Sequence, residues 1–415
     1  MNILFVHQNF PGQYRHLVRH LAAQPGNRVV FLTQHPNVAI PGVHTVVYQR
    51  QREVTVGVHH YVRDMEAGVL NAQAVARQAL ALKRAGFVPD LMLGHNGWGE
   101  IAFLKDVFPQ VPLIGYFEYF YRSHGGDVGF DPADVVAFDT FPRIRAKNLG
   151  NLLGLDACDW GQCPTEWQKS RYPERYQSML RVIHDGIDTH VIQPDPHASL
   201  MLPAKGDASA PVTLSAGDEV VTYVARNLEP YRGFPQFMRS LPEILRARPN
   251  ARIVIVGGDE VSYGGRLPPG ETYRQRLLNE LGDALDASRV HFLGKVPYAT
   301  FRALLQISMA HVYLTYPFVL SWSMLEAMAA GCRLIASRTA PVEEVVRDGE
   351  NGLLVDFSEP SALAGRVIDV LKAPRDFDEL RERARQTVVD RYDLQTVCLP
   401  AQLHWLQEIR LGARR

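Results

Sequence analysis

Short apolar runs alternate with segments of helical periodicity along most of the chain, and this alternation restricts the fold more than any other feature. In the first half, apolar runs at residues 2–7, 28–33, 90–94 and 112–117 are separated by helix-like segments such as the Ala-rich stretch at residues 65–85. Apolar runs of this length are typical of strands that are buried on both faces. The pattern therefore predicts βαβ units, with a parallel sheet that is covered by helices on both sides.

The alternation breaks at residues 194–218, where Pro, Ala, Ser, Gly and Asp dominate and no periodicity remains. We interpret this stretch as a connecting segment. After it the apolar runs resume, and strands are predicted at residues 220–225, 252–256, 290–293, 311–315, 334–336 and 352–355.

The predicted fold class is α/β, with two Rossmann-like, doubly wound domains. A length of 415 residues suits two domains better than one. The first domain is expected at residues 1–195 and the second at residues 219–393, with a linker at 196–218. A helix at residues 394–412 is expected to pack back on the first domain. In such sheets ligands bind at the carboxyl ends of the strands, so a central cleft between the two domains is expected to hold the site.

Composition and charge exclude several classes of function. The formal net charge is zero, which argues against nucleic acid as the main partner. The sequence contains no apolar run long enough to cross a bilayer and no recognisable secretory signal. Its four cysteines have neither zinc-site nor disulfide spacing, so a cytoplasmic protein is expected. Peripheral contact with a membrane through a local basic patch stays open.

The segment at residues 311–337 combines a strand, a short loop, a helix, Gly331 and a second strand. Glu326 lies about one turn into the helix, where a carboxylate can accept hydrogen bonds from the two hydroxyls of a ribose. Free backbone N–H groups at residues 321–323 would suit phosphate oxygens. The alternative is that Glu326 is only a solvated helix residue, although its neighbours are apolar.

Two arginines mark the end of another strand and the start of the helix that follows it. Arg226 ends the strand at residues 220–225, while Arg232 precedes Gly233 at the helix start. Two guanidinium groups at such a place suit a diphosphate, because arginine stays charged and binds phosphate oxygens in pairs. The alternative is a pair of ordinary surface arginines.

Together these segments resemble the retaining GT-B glycosyltransferases of family 4. The family's glycine–arginine strand end and lysine–glycine helix start appear here as Ala225–Arg226 and Arg232–Gly233, and its leucine–glutamate–alanine–methionine helix appears at residues 325–328. The turn at residues 183–188 and the strand at residues 351–354 resemble further family motifs. The resemblance implies that a nucleoside-diphosphate sugar is bound by Gly12, Arg226, Arg232, Gly258, Val296, Leu320, Ser321, Trp322 and Glu326.

The chain departs from the family at one position. The family has two glutamates separated by seven residues, and Phe318 occupies the place of the first. In the family that glutamate lies near the hydroxyls of the donor sugar. We therefore expect the sugar contact, but not the nucleotide contact, to differ in this chain.

The first domain resembles the family more loosely. Gly12, in the turn after the first strand, would let the backbone approach a phosphate or the sugar, unless it is an ordinary turn glycine. His95 follows a strand within a polar and aromatic segment, and Glu118 stands roughly where related enzymes have a histidine close to the anomeric carbon. We count His95, Glu118, Arg226 and Arg232 as catalytic candidates. For His95 and Glu118 a purely structural hydrogen bond is the open alternative.

Two other motifs are weak. Asp376 and Asp378 have the spacing used by metal-dependent glycosyltransferases, but an N-cap at an apparent helix start explains them better. The glycines at 257 and 258 lack a full dinucleotide fingerprint, and only their place at a strand end makes Gly258 a donor candidate. We therefore predict no metal site and no cofactor.

The expected function is transfer of a sugar, with retention of configuration, from a UDP or GDP sugar to an unidentified acceptor in glycan or glycoconjugate synthesis. The acceptor classes that stay open are a glycan, a lipid-linked sugar, a small molecule and a protein. One alternative on the same fold is a nucleotide-sugar 2-epimerase, which needs no acceptor. Another, suggested by Phe318, is a non-catalytic sugar-nucleotide-binding protein.

Overall fold

The computed structural model describes residues 1–132, 134–204 and 211–412. The chain forms two compact units. Unit 1 is Met1–Gly186 together with the C-terminal stretch that begins at Gln395, and unit 2 is Ile187–Leu394.

Unit 1 contains a parallel sheet whose described strands lie in the order β3-β2-β1-β4-β5-β6-β7. The strands are β1 (Asn2–Val6), β2 (Arg28–Thr33), β3 (Val43–Val47), β4 (Leu91–His95), β5 (Leu113–Tyr116), β6 (Trp160–Cys163) and β7 (Leu180–Val182). Its helices are α1 (Arg15–Ala23), α2 (Arg63–Arg84), α3 (Leu104–Val107), α4 (Thr140–Lys147), α5 (Leu149–Ala157), α6 (Glu166–Ser170) and α7 (Glu174–Gln177).

The centre of this sheet is apolar at successive positions because helices cover both of its faces. In β1 every residue from Ile3 to Val6 is fully buried, and Leu4 and Val6 pack with Val30 and Met92 in one core cluster. The strand order reverses at β1, with β2 on one side and β4 on the other. Such a switch point leaves room for side chains and ligands beyond the carboxyl ends of the strands.

Unit 2 contains a second parallel sheet with described strands in the order β12-β11-β10-β13-β14-β15. These are β10 (Val220–Asn227), β11 (Arg252–Gly258), β12 (Val290–Phe292), β13 (Ala310–Tyr313), β14 (Leu334–Ser337) and β15 (Leu353–Val355), preceded by the antiparallel pair β8 (Ser199–Leu202) and β9 (Val212–Ser215). The helices are α8 (Phe234–Ala247), α9 (Tyr273–Leu281), α10 (Tyr298–Ile307), α11 (Trp322–Ala329), α12 (Ala340–Glu343), α13 (Pro360–Lys372) and α14 (Asp378–Tyr392). The two parallel sheets confirm the predicted α/β class with two doubly wound domains.

The predicted linker at residues 196–218 contains more structure than its composition indicated. The strands β8 and β9 lie inside it, and Leu202 and Leu214 are buried against β10 and α10. These strands were missed because each has only four residues and lies among Pro, Ala, Ser, Gly and Asp residues typical of a linker. Residues 205–210 of the linker lie outside the described part of the chain.

The interpretation of Asp376 and Asp378 as an N-cap was wrong. The N-cap residue of α14 is Phe377, which makes no side-chain cap hydrogen bond. Asp378 is the first helical residue, and its carboxylate accepts a hydrogen bond from Arg333 at 2.6 Å. Asp378 is therefore explained by its ion pair with the buried Arg333 and not by helix capping.

After α14 the chain returns to unit 1. A π-helical turn at residues 394–398 leads into α15 (Leu399–Arg410), which contacts α1. Where the chain first enters unit 2, the Ile187 N–H donates to the Tyr392 carbonyl, and the Leu394 N–H donates to the Ile187 carbonyl, each at 2.8 Å. The outgoing and returning segments are therefore hydrogen-bonded to each other.

Candidate functional site

In unit 1, aromatic and imidazole rings gather at the carboxyl ends of three adjacent strands. His7 follows β1, His95 ends β4 and Tyr116 ends β5. The ring centroids of His7 and His95 are 4.8 Å apart, and those of His95 and Tyr116 are 5.3 Å apart. Because the strands are parallel neighbours around the switch point, residues that are far apart in sequence meet at one edge of the sheet.

The structure brings His95 and Glu118 together, as candidates for one site should be. Glu118 Oε2 lies 3.8 Å from His95 Nε2, and Glu118 Oε1 accepts a hydrogen bond from Gln13 Nε2 at 3.1 Å. Gln13 in turn contacts His7, with 2.7 Å between Gln13 Oε1 and His7 Nε2. The Glu118 side chain is 35% exposed whereas His95 is buried, so solvent reaches the carboxylate but not the imidazole.

Burial keeps both imidazoles neutral. It lowers the pKa of His7 to about 4, and it lowers the pKa of His95 well below its usual value, with a further contribution from His7. A histidine whose pKa is lowered loses its proton before neutral pH is reached. Glu118 therefore faces uncharged rings and not a cation.

The structure gives a reason for the glycine at position 12 that the sequence did not reveal. Its φ is +55°, and a Cβ atom there would lie 2.4 Å from His7 Nε2. A side chain at this position would displace the imidazole from the turn. The predicted contact between Gly12 and the donor stays a prediction.

In unit 2 the two predicted arginines differ strongly. Arg226 is exposed near the end of β10. Arg232 is buried, and its Nη1 donates to Tyr313 Oη at 3.2 Å, Thr315 Oγ1 at 2.9 Å and the Val319 carbonyl at 3.0 Å. Arg232 thus ties the start of α8 to the loop after β13, whereas Arg226 is open to an incoming anion.

The N-terminus of α11 is partly occupied by the chain itself. The Ser321 N–H donates to Tyr313 Oη at 2.9 Å, and the Ser323 N–H donates to the Ser321 hydroxyl at 3.3 Å. The expectation of free N–H groups at residues 321–323 was therefore wrong for these two, because Ser321 is the N-cap of the helix. Leu320 is buried and Trp322 begins the helix.

Glu326 is not a solvated helix residue. It is only 8% exposed, and Tyr298 Oη donates to its Oε1 at 2.9 Å. Tyr298 is the first residue of α10, two positions after the donor candidate Val296, which is itself half-buried against the core. The carboxylate is therefore held in one position, while its bond to a ribose stays a prediction.

Phe318 belongs to a cluster of aromatic side chains. Its ring centroid lies 4.9 Å from that of Tyr263 and 5.6 Å from that of Tyr231, and Tyr231 stacks on Tyr316 at 4.7 Å. The segment that carries Tyr263 is fixed by the buried Glu229, whose carboxylate accepts the backbone N–H groups of residues 262–264 at 2.9–3.1 Å. Where the resemblance puts a carboxylate beside the sugar, this chain has a packed aromatic surface.

The surroundings of Gly258 are crowded. A Cβ atom there would lie 2.3 Å from Glu260 Oε2 and 2.6 Å from Lys295 Cε. Lys295 and Glu260 form an ion pair with 3.0 Å between Nζ and Oε2. A side chain at this strand end would displace the exposed ends of Glu260 and Lys295, and the donor contact of Gly258 stays a prediction.

Comparison with known proteins assigns the chain to a family. The model of the "Glycosyl transferase family 4 group" matches residues 25–192, and that of "Glycosyl transferases group 1" matches residues 207–387. The D-inositol 3-phosphate glycosyltransferase of Corynebacterium efficiens is 30% identical over 74% of this chain and 68% of its own length. The GDP-mannose-dependent alpha-(1-6)-phosphatidylinositol monomannoside mannosyltransferase of Mycolicibacterium smegmatis is 27% identical over 72% of both chains.

The chain belongs to the family 4 glycosyltransferases.

Solved structures agree with this family 4 glycosyltransferase in fold. Sucrose-phosphate synthase from Thermosynechococcus elongatus has a TM-score of 0.71 at 17% identity and covers 99% of this chain and 100% of its own. Anabaena HepE in complex with UDP-glucose has a TM-score of 0.66 at 16% identity, with the same coverage of both chains. The protein therefore has the GT-B fold. Its membership of family 4, which rests on the sequence matches, makes it a nucleotide-sugar-dependent glycosyltransferase.

Several residues that contact the candidates were not singled out from the sequence. They are His7 and Gln13 in unit 1 and, separately, Glu229, Tyr263 and Tyr298 in unit 2. His7 and Gln13 lie in segments that the sequence did highlight, but nothing showed that Gln13 contacts both His7 and Glu118. Glu229 and Tyr263 are 34 positions apart and meet only because two loops lie at the same sheet edge.

Two further findings concern metals and membranes. In the described ranges, no three His, Cys, Asp or Glu side chains come together as a metal site requires. None of the helices that the structure describes has both the length and the apolar character needed to cross a bilayer.

Proposed function

We propose that this glycosyltransferase moves a sugar, with retention of configuration and without a metal ion, from a UDP or GDP sugar to an acceptor hydroxyl. The donor nucleotide is bound by residues 219–393 and the acceptor by residues 1–195. The observation that carries the proposal is the buried carboxylate of Glu326, which accepts a hydrogen bond from Tyr298. Glu326 lies on α11, whose sequence resembles the family's ribose-binding motif.

The arginines provide the positive charge that stabilises the leaving nucleoside diphosphate. As a nucleoside diphosphate departs, negative charge builds up on its phosphate oxygens. Arg226 is exposed and bears a permanent cation, and Arg232 holds the neighbouring loop in place. A guanidinium group binds two phosphate oxygens at once, so arginines replace the divalent metal that other glycosyltransferases use.

A thermal-shift screen tests the donor. UDP, GDP and ADP sugars, with GDP-mannose included because the mycobacterial relative depends on it, are added singly to the purified chain. A ligand at 100 times its dissociation constant adds about 2.7 kcal/mol of stability. No stabilisation by any nucleotide sugar would contradict the proposal.

Incubation without an acceptor tests the reaction class. Conversion of the donor into its 2-epimer would favour the isomerase alternative, and binding without turnover under every acceptor would favour a non-catalytic protein. Turnover in excess EDTA tests the metal, and complete loss that magnesium or manganese restores would contradict the metal-free mechanism.

Peripheral membrane contact forms part of the same proposal. Two curated relatives act on inositol-containing acceptors, one of them a phosphatidylinositol derivative. In unit 1 the side chains of Val56, Val135 and Phe138 are 99%, 97% and 82% exposed. Co-sedimentation with phosphatidylinositol-containing vesicles should be weaker for Phe138→Ser than for the parent, and equal binding would contradict the contact.

A further inference from the structure

We propose that His7 and Gln13 are positioning residues that present the carboxylate of Glu118 as a fixed acceptor for a substrate hydroxyl. The inference rests on the proposed function and on the prediction that Glu118 is a catalytic residue of that reaction. It adds a specific task for two residues that the family resemblance does not assign.

The direction of every hydrogen bond in this group follows from one backbone donor. The Asn9 N–H donates to His7 Nδ1 at 2.9 Å, so the proton of the neutral ring is on Nε2. His7 Nε2 therefore donates to Gln13 Oε1 at 2.7 Å, which turns the amide N–H₂ of Gln13 toward Glu118. A reversed amide would place a carbonyl oxygen against the carboxylate and repel it.

His95 is oriented in the same way from the other side. The Gly97 N–H donates to His95 Nδ1 at 2.9 Å, so the neutral ring carries its proton on Nε2, which is buried and makes no hydrogen bond. This N–H faces Glu118 Oε2 across 3.8 Å, a distance too long for a direct hydrogen bond. One carboxylate oxygen is thus bound by Gln13, while the other lies beside the His95 N–H, and the side chain is 35% exposed.

Glycines make both orientations possible. A Cβ atom at position 97 would lie 2.6 Å from His95 Cε1, just as one at position 12 would lie 2.4 Å from His7 Nε2. Each imidazole therefore packs flat against a glycine that follows it in sequence. The rings cannot rotate without breaking a backbone hydrogen bond, so the position of the carboxylate is set by rigid neighbours.

The groups around Glu118 make its titration a useful test of this proposal. The titratable groups that interact with it or with its partners include His7, His95, Tyr14, Tyr116, Tyr121, Tyr172 and Asp185. Burial raises the pKa of each of these tyrosines and lowers the pKa of both histidines, so these six side chains are uncharged near neutral pH. Asp185 binds Tyr116 Oη at 3.0 Å and is the other carboxylate of the group.

The decisive variant is Gln13→Glu. Its carboxylate can still accept from His7 Nε2, but the donor to Glu118 is replaced by a second negative charge at the position of the amide nitrogen. Two carboxylates that share a site raise each other's pKa. We expect the acidic limb of the kcat/KM profile to move up by at least one pH unit and kcat at neutral pH to fall at least tenfold, with unchanged calorimetric affinity for the nucleoside diphosphate.

The rate is measured as turnover of UDP-glucose or GDP-mannose, whichever stabilises the protein. Gln13→Met, which removes donor and acceptor but adds no charge, should move the acidic limb less. Gln24→Glu adds the same charge at an exposed position of unit 1 and serves as the control, with no expected change.

A second measurement separates this inference from the proposed function. Carboxyl ¹³C NMR of glutamate-labelled protein, with the Glu118 signal assigned by its loss in Glu118→Gln, follows the titration of Glu118 without any turnover. A Glu118 titration that Gln13→Glu leaves unchanged would overturn the contact. A titration that moves while the rate profile does not would overturn the positioning role. A parent that turns over no nucleotide sugar would contradict the proposed function instead.

Discussion

At the residue scale, the buried Glu326 has a single defined orientation because Tyr298 donates to one of its oxygens. We expect Glu326→Gln to weaken binding of nucleoside diphosphate about 10- to 100-fold, because each hydrogen bond to a charged acceptor contributes about 1.5–3 kcal/mol. Calorimetry with nucleoside diphosphate and with its sugar conjugates checks this. Glu343→Gln, at an exposed position of unit 2, is the matched control. Parent-like affinity in a folded Glu326→Gln protein would refute the ribose role.

Phe318 permits a second prediction of the same kind. It is 5% exposed within the aromatic cluster of Tyr231, Tyr263 and Tyr316, so Phe318→Glu should destabilise the protein by about 3 kcal/mol through an uncompensated buried charge. Phe318→Leu should cost less. Thermal unfolding measures both.

The ligand behaviour of Phe318→Glu is a separate readout. Affinity for nucleoside diphosphate should stay near that of the parent, and discrimination between donor sugars should change. If Phe318→Glu is as stable as the parent, the carboxylate reaches solvent and packing is not the reason for the phenylalanine.

The sequence singled out candidate residues more readily than it showed their surroundings. Glu326, Arg232, His95 and Glu118 became candidates because residue type and place at a strand end or helix start can be read from the sequence, and their roles stay predictions. The partner of Glu118 was not predictable, since Gln13 and Glu118 are 105 positions apart and their contact depends on the strand order. The orientation of a side chain cannot be predicted from the sequence alone, because it depends on how several helices and strands pack together.

At the scale of elements, hydrogen bonds from Arg232 connect the start of α8 to the loop after β13. Arg232→Ala leaves Tyr313 Oη, Thr315 Oγ1 and the Val319 carbonyl without a shared donor. We expect a loss of about 1–3 kcal/mol in the free energy of unfolding for each acceptor that water does not reach. Arg226→Ala should change stability by less than about 0.5 kcal/mol, because the side chain is exposed, yet it should weaken nucleoside diphosphate binding.

Denaturant unfolding and calorimetry on the same two variants check both statements. An Arg232→Ala protein as stable as Arg226→Ala would contradict the anchoring role of Arg232. Unchanged nucleotide affinity in Arg226→Ala would remove it from the donor site.

The apolar strand β2 and the short edge strands β12 and β15 were predicted well, whereas the short strands β3, β6 and β7 were not predicted. The sequence boundaries for β2 matched the structure residue for residue, because RVVFLT is apolar at four of six positions and buried at five. Strands β3, β6 and β7 have three to five residues and mixed composition, and they exist because a neighbouring strand offers hydrogen bonds. Tertiary pairing decides such strands more than local propensity does.

At the scale of the whole molecule, α15 is separated in sequence from the unit to which it belongs. Trp405 on α15 is 3% exposed, with the Arg181 guanidinium 5.9 Å from the centre of its ring. Trp405→Ala should lower the free energy of unfolding of unit 1 by about 3–5 kcal/mol. Nucleoside diphosphate binding, which we assign to unit 2, should persist.

Hydrogen exchange resolved by peptide distinguishes the two units. Protection should fall in the strands β1, β6 and β7 and stay the same in β10 and β13. Leu411→Ala, whose side chain is 73% exposed one residue beyond α15, is the control. Equal loss of protection in both units would contradict the assignment of α15 to unit 1.

The route of the chain also orders its synthesis. Unit 2 is one continuous stretch, whereas unit 1 is made of the first 186 residues and a helix that follows all of unit 2. On a ribosome, the seven strands of the first sheet are translated well before the helix that covers Leu21 and Ile3. That apolar surface lacks its covering helix for the whole time that unit 2 is being translated, so the folding of unit 1 is completed only after unit 2 has been made.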